Sequence, residues 1–156
     1  MEELAQNELM IYETSYWTIL HRSDSMYLGY LMVSSLETVS DVCGLSSDSL
    51  RELGKVLQIT EKLLISVYSP HKVIMTKLGF SKGFSCHFHV LPVSHSLLNQ
   101  VTEHSHYTNN EPDGVDALSF INREYCDKRL TQRQYEDMVR EVIMLREQYK
   151  KLFGLL

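Results

Sequence analysis

Ser85-Cys86-His87-Phe88-His89-Val90-Leu91-Pro92 sets two histidines one residue apart inside an apolar run. In an extended strand side chains alternate faces, and the chain rises about 3.3 Å per residue, so His87 and His89 share a face roughly 6.6 Å apart. Cys86, Phe88 and Val90 point the other way, toward a core. A strand that packs one face and carries two imidazoles on the other is a rigid mount for chemistry. Just upstream, Gly79 and Gly83 lie within Lys77-Leu78-Gly79-Phe80-Ser81-Lys82-Gly83-Phe84. Glycines let backbone N–H groups approach an anion closely. Imidazoles beside such a loop point to phosphate chemistry.

Working outward, Lys72 to Leu78 reads as the strand before the glycine loop. A helix runs from an N-cap at Ser46 to about Tyr68, stopped by Ser69-Pro70-His71, with Leu50, Leu53, Leu57, Leu64 and Val67 as its buried stripe. Leu9 to Tyr12 and Tyr16 to Leu20 read as a hairpin, and residues 2–10 as a short helix. Tyr27 to Val33, apolar throughout, reads as a strand buried on both faces. Ser94 to Gly114 is polar and reads as a long loop; Val115 to Tyr125 reads as a short helix. Thr131 and Gln134 form a capping-box pattern opening a last helix, with Tyr135, Met138, Val142, Leu145, Tyr149 and Leu152 on one stripe. The expected fold class is α+β: an antiparallel sheet of about five strands, a long helix packed on it and a C-terminal helix, all in one domain over residues 1–156.

Bulk properties narrow the function. The 156 residues suffice for one core, and the net charge of −5 comes without a basic stripe, which disfavours nucleic-acid polymers as partners. Cys43, Cys86 and Cys126 form no CxxC pair and suit a reducing compartment, so a cytoplasmic location is expected. The acidic Met-Glu-Glu start and the lack of an 18-residue apolar run give no sign of a signal peptide or a membrane span. A zinc site is disfavoured because Cys86 faces away from the histidines and no third ligand stands at suitable spacing. No metal or other cofactor is expected.

The His strand resembles the histidine triad family, whose signature is His-x-His-x-His followed by two apolar residues. Trp17-Thr18-Ile19-Leu20-His21-Arg22 and Tyr27 to Val33 are similar to the family's first two strands, and Leu45-Ser46-Ser47-Asp48 to its helix start. Asp116 to Cys126, followed by a capped helix, resembles a prokaryotic branch. Here Ser85 stands where the family has its first motif histidine, Val93 where an Arg commonly follows the Pro, and Gly29 and Leu36 where further histidines are common. The loop Asn of many members falls near Lys77.

The resemblance implies a nucleotide hydrolase or nucleotidyl transferase acting at the α-phosphate through a nucleotidyl-histidine, and a homodimer. Phosphoramidates and dinucleoside polyphosphates are the candidate substrates. His87 matches the nucleophile, and His89 a phosphate-orienting residue. Ser85, third on that face, is able to bond a phosphate oxygen. Ser81 and the N–H groups near Gly83 are candidates for nonbridging oxygens. His21 falls where a ribose contact is often found, and Leu20, Leu28 and Trp17 are candidates for a base pocket. The chemistry needs a neutral imidazole with one bare nitrogen and its other N–H held by an acceptor. A nucleotide-binding protein without turnover remains the alternative, and a scaffold role a third.

Overall fold

The computed structural model describes residues 7–106 and 111–154. Strands β1 (Met10–Glu13), β2 (Trp17–His21), β3 (Leu31–Ser35), β4 (Lys72–Thr76) and β5 (His87–Val93) form one sheet in the order β1-β2-β3-β5-β4. Every neighbouring pair is antiparallel. Four long α-helices accompany the sheet among the described residues, besides a 3-10 turn at Val42–Gly44: α1 (Ser47–Tyr68), α2 (His95–Glu103), α3 (Gly114–Tyr125) and α4 (Gln132–Phe153). The α+β class and the five-stranded antiparallel sheet are as expected. The helix expected over residues 2–10 falls largely outside the described residues; of those described, residues 7–9 are helical and Met10 opens β1.

Helices α1 and α4 cover one face of the sheet. Ser46 caps α1 by accepting a bond from Ser49 N, and Ser69 ends it in the left-handed region at φ 43°. The capping box of Thr131 and Gln134 opens α4, and Gly154 at φ 64° closes it. Trp17, Ile19, Leu31, Val33 and Val90 from alternate strand positions meet Val56, Leu63 and Leu64 of α1 and Met138, Val142 and Leu145 of α4. Each such side chain contributes about 1.5–3 kcal/mol by leaving water.

The expected α1 stripe holds at Leu64, with Leu53, Leu57 and Val67 packed partly buried against the core, but it does not include Leu50. Ser49, Val56, Thr60, Leu63 and Leu64 are buried, whereas Leu50 is 42% exposed. The Trp17 indole donates to the Ser49 carbonyl (3.0 Å), which turns position 49 rather than 50 to the sheet. Thr60 is accommodated because its hydroxyl donates to Val56 O (2.8 Å) and meets Tyr12 OH (3.0 Å).

Two other expectations are corrected. The strand expected from Tyr27 begins at Leu31, because the chain first turns through Gly29 at φ 83° and Tyr30 N bonds Tyr27 O. The long loop expected from Ser94 contains α2, capped by Ser94 accepting from Leu97 N (3.1 Å). Leu97 and Val101, one turn apart, bury that helix against the sheet's second face.

Candidate functional site

Strand β5 runs between β3 and β4, so its residues have neighbours on both sides. Phe88 and Val90 join the core under α1 and α4, and Leu91 and Val93 join a second core under α2 and α3. His87 and His89 share this second face, beyond the end that the two helices cover. Register sets Thr76 and Met32 beside His89, with Leu20 next to Met32; Ser34 lies beside His87, with Thr18 next to it. These floor residues are half-buried and His89 is buried. The site is therefore the open half of a sheet face whose other half is packed.

The His87 ring is held by main chain. Its Nδ1 lies 2.7 Å from the Ser85 carbonyl oxygen. A carbonyl only accepts, so Nδ1 carries the proton and Nε2 of the neutral ring keeps its lone pair. The Ser85–Cys86 segment is itself fixed: Cys86 N donates to Val39 O (2.6 Å) and Cys86 O accepts from Ser35 N (2.8 Å). The Phe84 ring stands edge-on to His87 at 6.2 Å between centroids.

His89 is held by side chains. Its Nδ1 lies 2.9 Å from Tyr30 OH. The Arg22 guanidinium donates to Tyr30 OH (3.2 Å) and to Asn122 Oδ1 (2.7 Å), and lies 5.0 Å from the centre of the Tyr30 ring. Arg22 is in turn paired with Asp24 (2.6 Å) and Asp127 (3.0 Å). Burial, then His87 and then Arg22, hold the His89 pKa down to about 4, with Asp24 opposing, so this imidazole is neutral at neutral pH. Burial raises the Tyr30 hydroxyl, with Arg22 opposing, and keeps it a protonated donor.

Ser85, Ser81 and Gly83 lie on the chain leading into β5, with Ser81 and Gly83 exposed and Gly83 at φ 91°. Ser85 meets His87 through its carbonyl. Leu20 is on the histidine face. Three candidate contacts are not. Trp17 is fully buried on the opposite face, with its indole N–H spent on Ser49, so it is no base platform. Leu28 lines a separate recess of about 250 Å³ with Met26 and α4 residues, away from the histidines. His21 is 2% exposed, with Nδ1 donating to Arg22 O (3.0 Å) and Nε2 accepting from Gly29 N (3.1 Å). Both of its nitrogens are used in holding the β2–β3 loop, and neither is left for a ribose.

The sequence assigns no site role to Tyr30, Arg22 or Asn122. Tyr30 lies in what reads as a continuous strand, and Asn122 in what reads as a short helix. Arg22 and Asp24, opposite charges two residues apart between β2 and β3, are the one local sign. Lys77 is engaged by Asp41 (2.9 Å). Among the described residues no group of three or more His, Cys, Asp or Glu is placed to hold a metal ion, and no helix is long and apolar enough to cross a membrane.

No family model matches the chain, and no curated protein matches it. Solved structures do. A diadenosine triphosphate hydrolase from Plasmodium falciparum aligns with a TM-score of 0.62 at 10% identity, covering 95% of this chain and 80% of that one. A hypothetical histidine triad nucleotide-binding protein from Sulfolobus tokodaii aligns at 0.61 and 14% identity, covering 94% and 88%. The C. elegans NitFhit protein aligns at 0.61 and 13% identity over 90% of this chain, which spans 27% of that longer one. At such identities the likeness shows the fold: this chain is folded as histidine triad proteins are.

Proposed function

We propose that the chain is a nucleotide hydrolase or nucleotidyl transferase of the histidine triad type, with His87 as nucleophile and Ser85 in place of the first motif histidine. The observation that carries this reading is the His87 ring on an open sheet face, its Nδ1 pinned to the Ser85 carbonyl. In the proposed reaction Nε2 of His87 attacks the α-phosphorus, the bond from phosphorus to the leaving group breaks, and that group departs with the electron pair. The ring becomes cationic, and the Ser85 carbonyl stabilises it through the Nδ1 proton. Water or another acceptor then breaks the P–N bond. His89 bonds a phosphate oxygen through Nε2, and the N–H groups near Gly83 with the Ser81 hydroxyl meet the nonbridging oxygens. Leu20 and Met32 offer apolar floor to the nucleoside.

The fold of the solved neighbours and the similarity to a prokaryotic branch in Asp116 to Cys126 support the same reading. It carries three further expectations. One is a single functional domain. The second is a homodimer, favoured by the exposed Leu78, Phe80 and Phe84 beside edge strand β4. The third is a cytoplasmic location, favoured by the free Cys43, Cys86 and Cys126.

Incubation with a panel of nucleoside phosphoramidates and dinucleoside polyphosphates, with His87→Ala as control, tests the reading. Release of nucleoside monophosphate by the wild type alone supports it. The second reading, binding without turnover, is favoured by the loss of a titratable group at Ser85; tight nucleotide binding with no product would establish it instead.

A further inference from the structure

Tyr30 has one hydroxyl proton and two acceptors within reach. His89 Nδ1 is at 2.9 Å and Asn122 Oδ1 at 3.3 Å. The Asn122 amide is oriented by its Nδ2, which donates to Leu118 O (2.8 Å), and its Oδ1 already accepts from Arg22 at 2.7 Å. The guanidinium only donates, so toward Arg22 the Tyr30 oxygen is an acceptor, and a cation on that oxygen makes its O–H the stronger donor. The Tyr30 proton thus goes to the shorter contact, His89 Nδ1. A neutral imidazole that accepts at Nδ1 carries its proton on Nε2.

The two rings then have opposite polarity. In its neutral form His87 shows a lone pair at Nε2, whereas His89 shows an N–H there. Neither Nε2 has a hydrogen-bond partner among the described residues, and neither is a sealed, unsatisfied atom. The groups around His89 are His87 on its own strand, Met32 and Thr76 on the flanking strands, Tyr30, Arg22 and Asp24 from the β2–β3 loop, and Asn122 from α3. Tyr30, Arg22 and His89 do not give up a proton at neutral pH: burial raises the Tyr30 hydroxyl, the paired guanidinium keeps its charge and His89 is already neutral, while the Ser85 hydroxyl holds its proton.

We propose that Tyr30, gripped by Arg22, is a positioning residue that keeps the His89 proton on Nε2, making His89 a neutral hydrogen-bond donor and restricting the site to leaving groups that depart unprotonated. The inference rests on the nucleotidyl-transfer reading for its second half only. A phosphate leaving group carries off the electron pair as a stable anion. An alkylamine or an alcohol must take up a proton as its bond to phosphorus breaks, and nothing in this constellation gives one up. Phosphoanhydrides are therefore the substrate class.

Nitrogen-15 NMR of the histidine rings tests the first half without any substrate, the His89 signals being assigned by their loss in His89→Asn. Protonated Nε2 and bare Nδ1 are expected in the wild type, and Tyr30→Phe, which keeps the ring, should shift His89 to a mixture of tautomers. A proton on Nδ1 in the wild type, or no change in Tyr30→Phe, would overturn the positioning role. Turnover of adenylate conjugates with graded leaving groups tests the second half. The kcat/KM for an alkylamine conjugate should lie roughly 100-fold or more below that for an anhydride. Tyr30→Phe should lower kcat on the anhydride by about tenfold with little change in KM. Equal rates for anhydride and alkylamine conjugates overturn the selectivity. No turnover of any conjugate, with the expected tautomer intact, overturns the enzyme reading and the selectivity but supports the role of Tyr30.

Discussion

The rings of His87 and His89 stand 5.2 Å apart at 61°, and each is anchored at Nδ1 by a different kind of group: a main-chain carbonyl for His87, a side-chain hydroxyl for His89. One anchor survives any substitution of its residue except those that move the backbone; the other is lost with a single side chain. Changing His89 itself removes a donor from the phosphate but leaves the nucleophile's anchor in place. His89→Asn should therefore lower kcat by about 10- to 100-fold without unfolding the protein. Steady-state kinetics with a circular-dichroism melt checks this, and an unaltered kcat would remove His89 from the site.

Ser85 should matter through its carbonyl. Ser85→Ala keeps the bond to His87 Nδ1 and deletes only the hydroxyl, so turnover should change by no more than about threefold, under about 0.7 kcal/mol. A loss of 100-fold or more would mean that the hydroxyl itself takes part in the chemistry.

Gly29 is the residue on which the β2–β3 loop turns. At φ 83° a Cβ would lie 2.7 Å from Tyr68 Cε2 and 3.1 Å from Pro92 Cγ. Tyr68 cannot swing aside freely, because its hydroxyl is bonded to Glu141. Left-handed backbone strain and the overlap together should make Gly29→Ala less stable by roughly 2–4 kcal/mol. Urea unfolding measures this, and a loss under about 0.5 kcal/mol would contradict the geometry.

Burial holds the His21 pKa down to about 4, against the opposing bond to the Arg22 carbonyl, and His89 is depressed to about the same value. An unfolded histidine titrates near 6.5, so below that pH the unfolded chain takes up protons that the folded chain refuses. Stability is complete above about pH 6.5 and is lost progressively as pH falls toward 4, by up to about 3 kcal/mol for His21. In His21→Gln, which keeps one donor and one acceptor, the drop in unfolding free energy from about pH 7 to about pH 5 should be shallower. An equal drop in both proteins would assign the acid sensitivity elsewhere.

Much of the sheet was readable because its signals are local. The Ser46 cap, the Thr131–Gln134 box and the alternation through His87 and His89 each depend on neighbours within four residues. The errors arose where tertiary partners decide. Leu50 and Ser49 differ in burial because Trp17, distant in sequence, takes the Ser49 carbonyl. Leu97 and Val101 carried a helical repeat, but the polar residues around them read as loop until a sheet face was there to cover.

The site divides in the same way. His87, His89 and Leu20 share one face because strand period and register put them there. Trp17 obeys the same alternation and is carried by it to the opposite face. His21 was read by similarity of position, yet burial and two internal bonds commit it to the loop. Tyr30 and Asn122 are 92 positions apart, and only folding brings them to His89.

Covalent trapping tests the role of His87 most directly. A brief reaction with excess nucleotide, quenched at alkaline pH to preserve an acid-labile P–N bond, should add one nucleoside monophosphate unit to the protein. Fragmentation should place that mass on His87, and His87→Ala should neither acquire it nor turn over. Turnover with the label on another residue, or undiminished turnover in His87→Ala, would contradict the account.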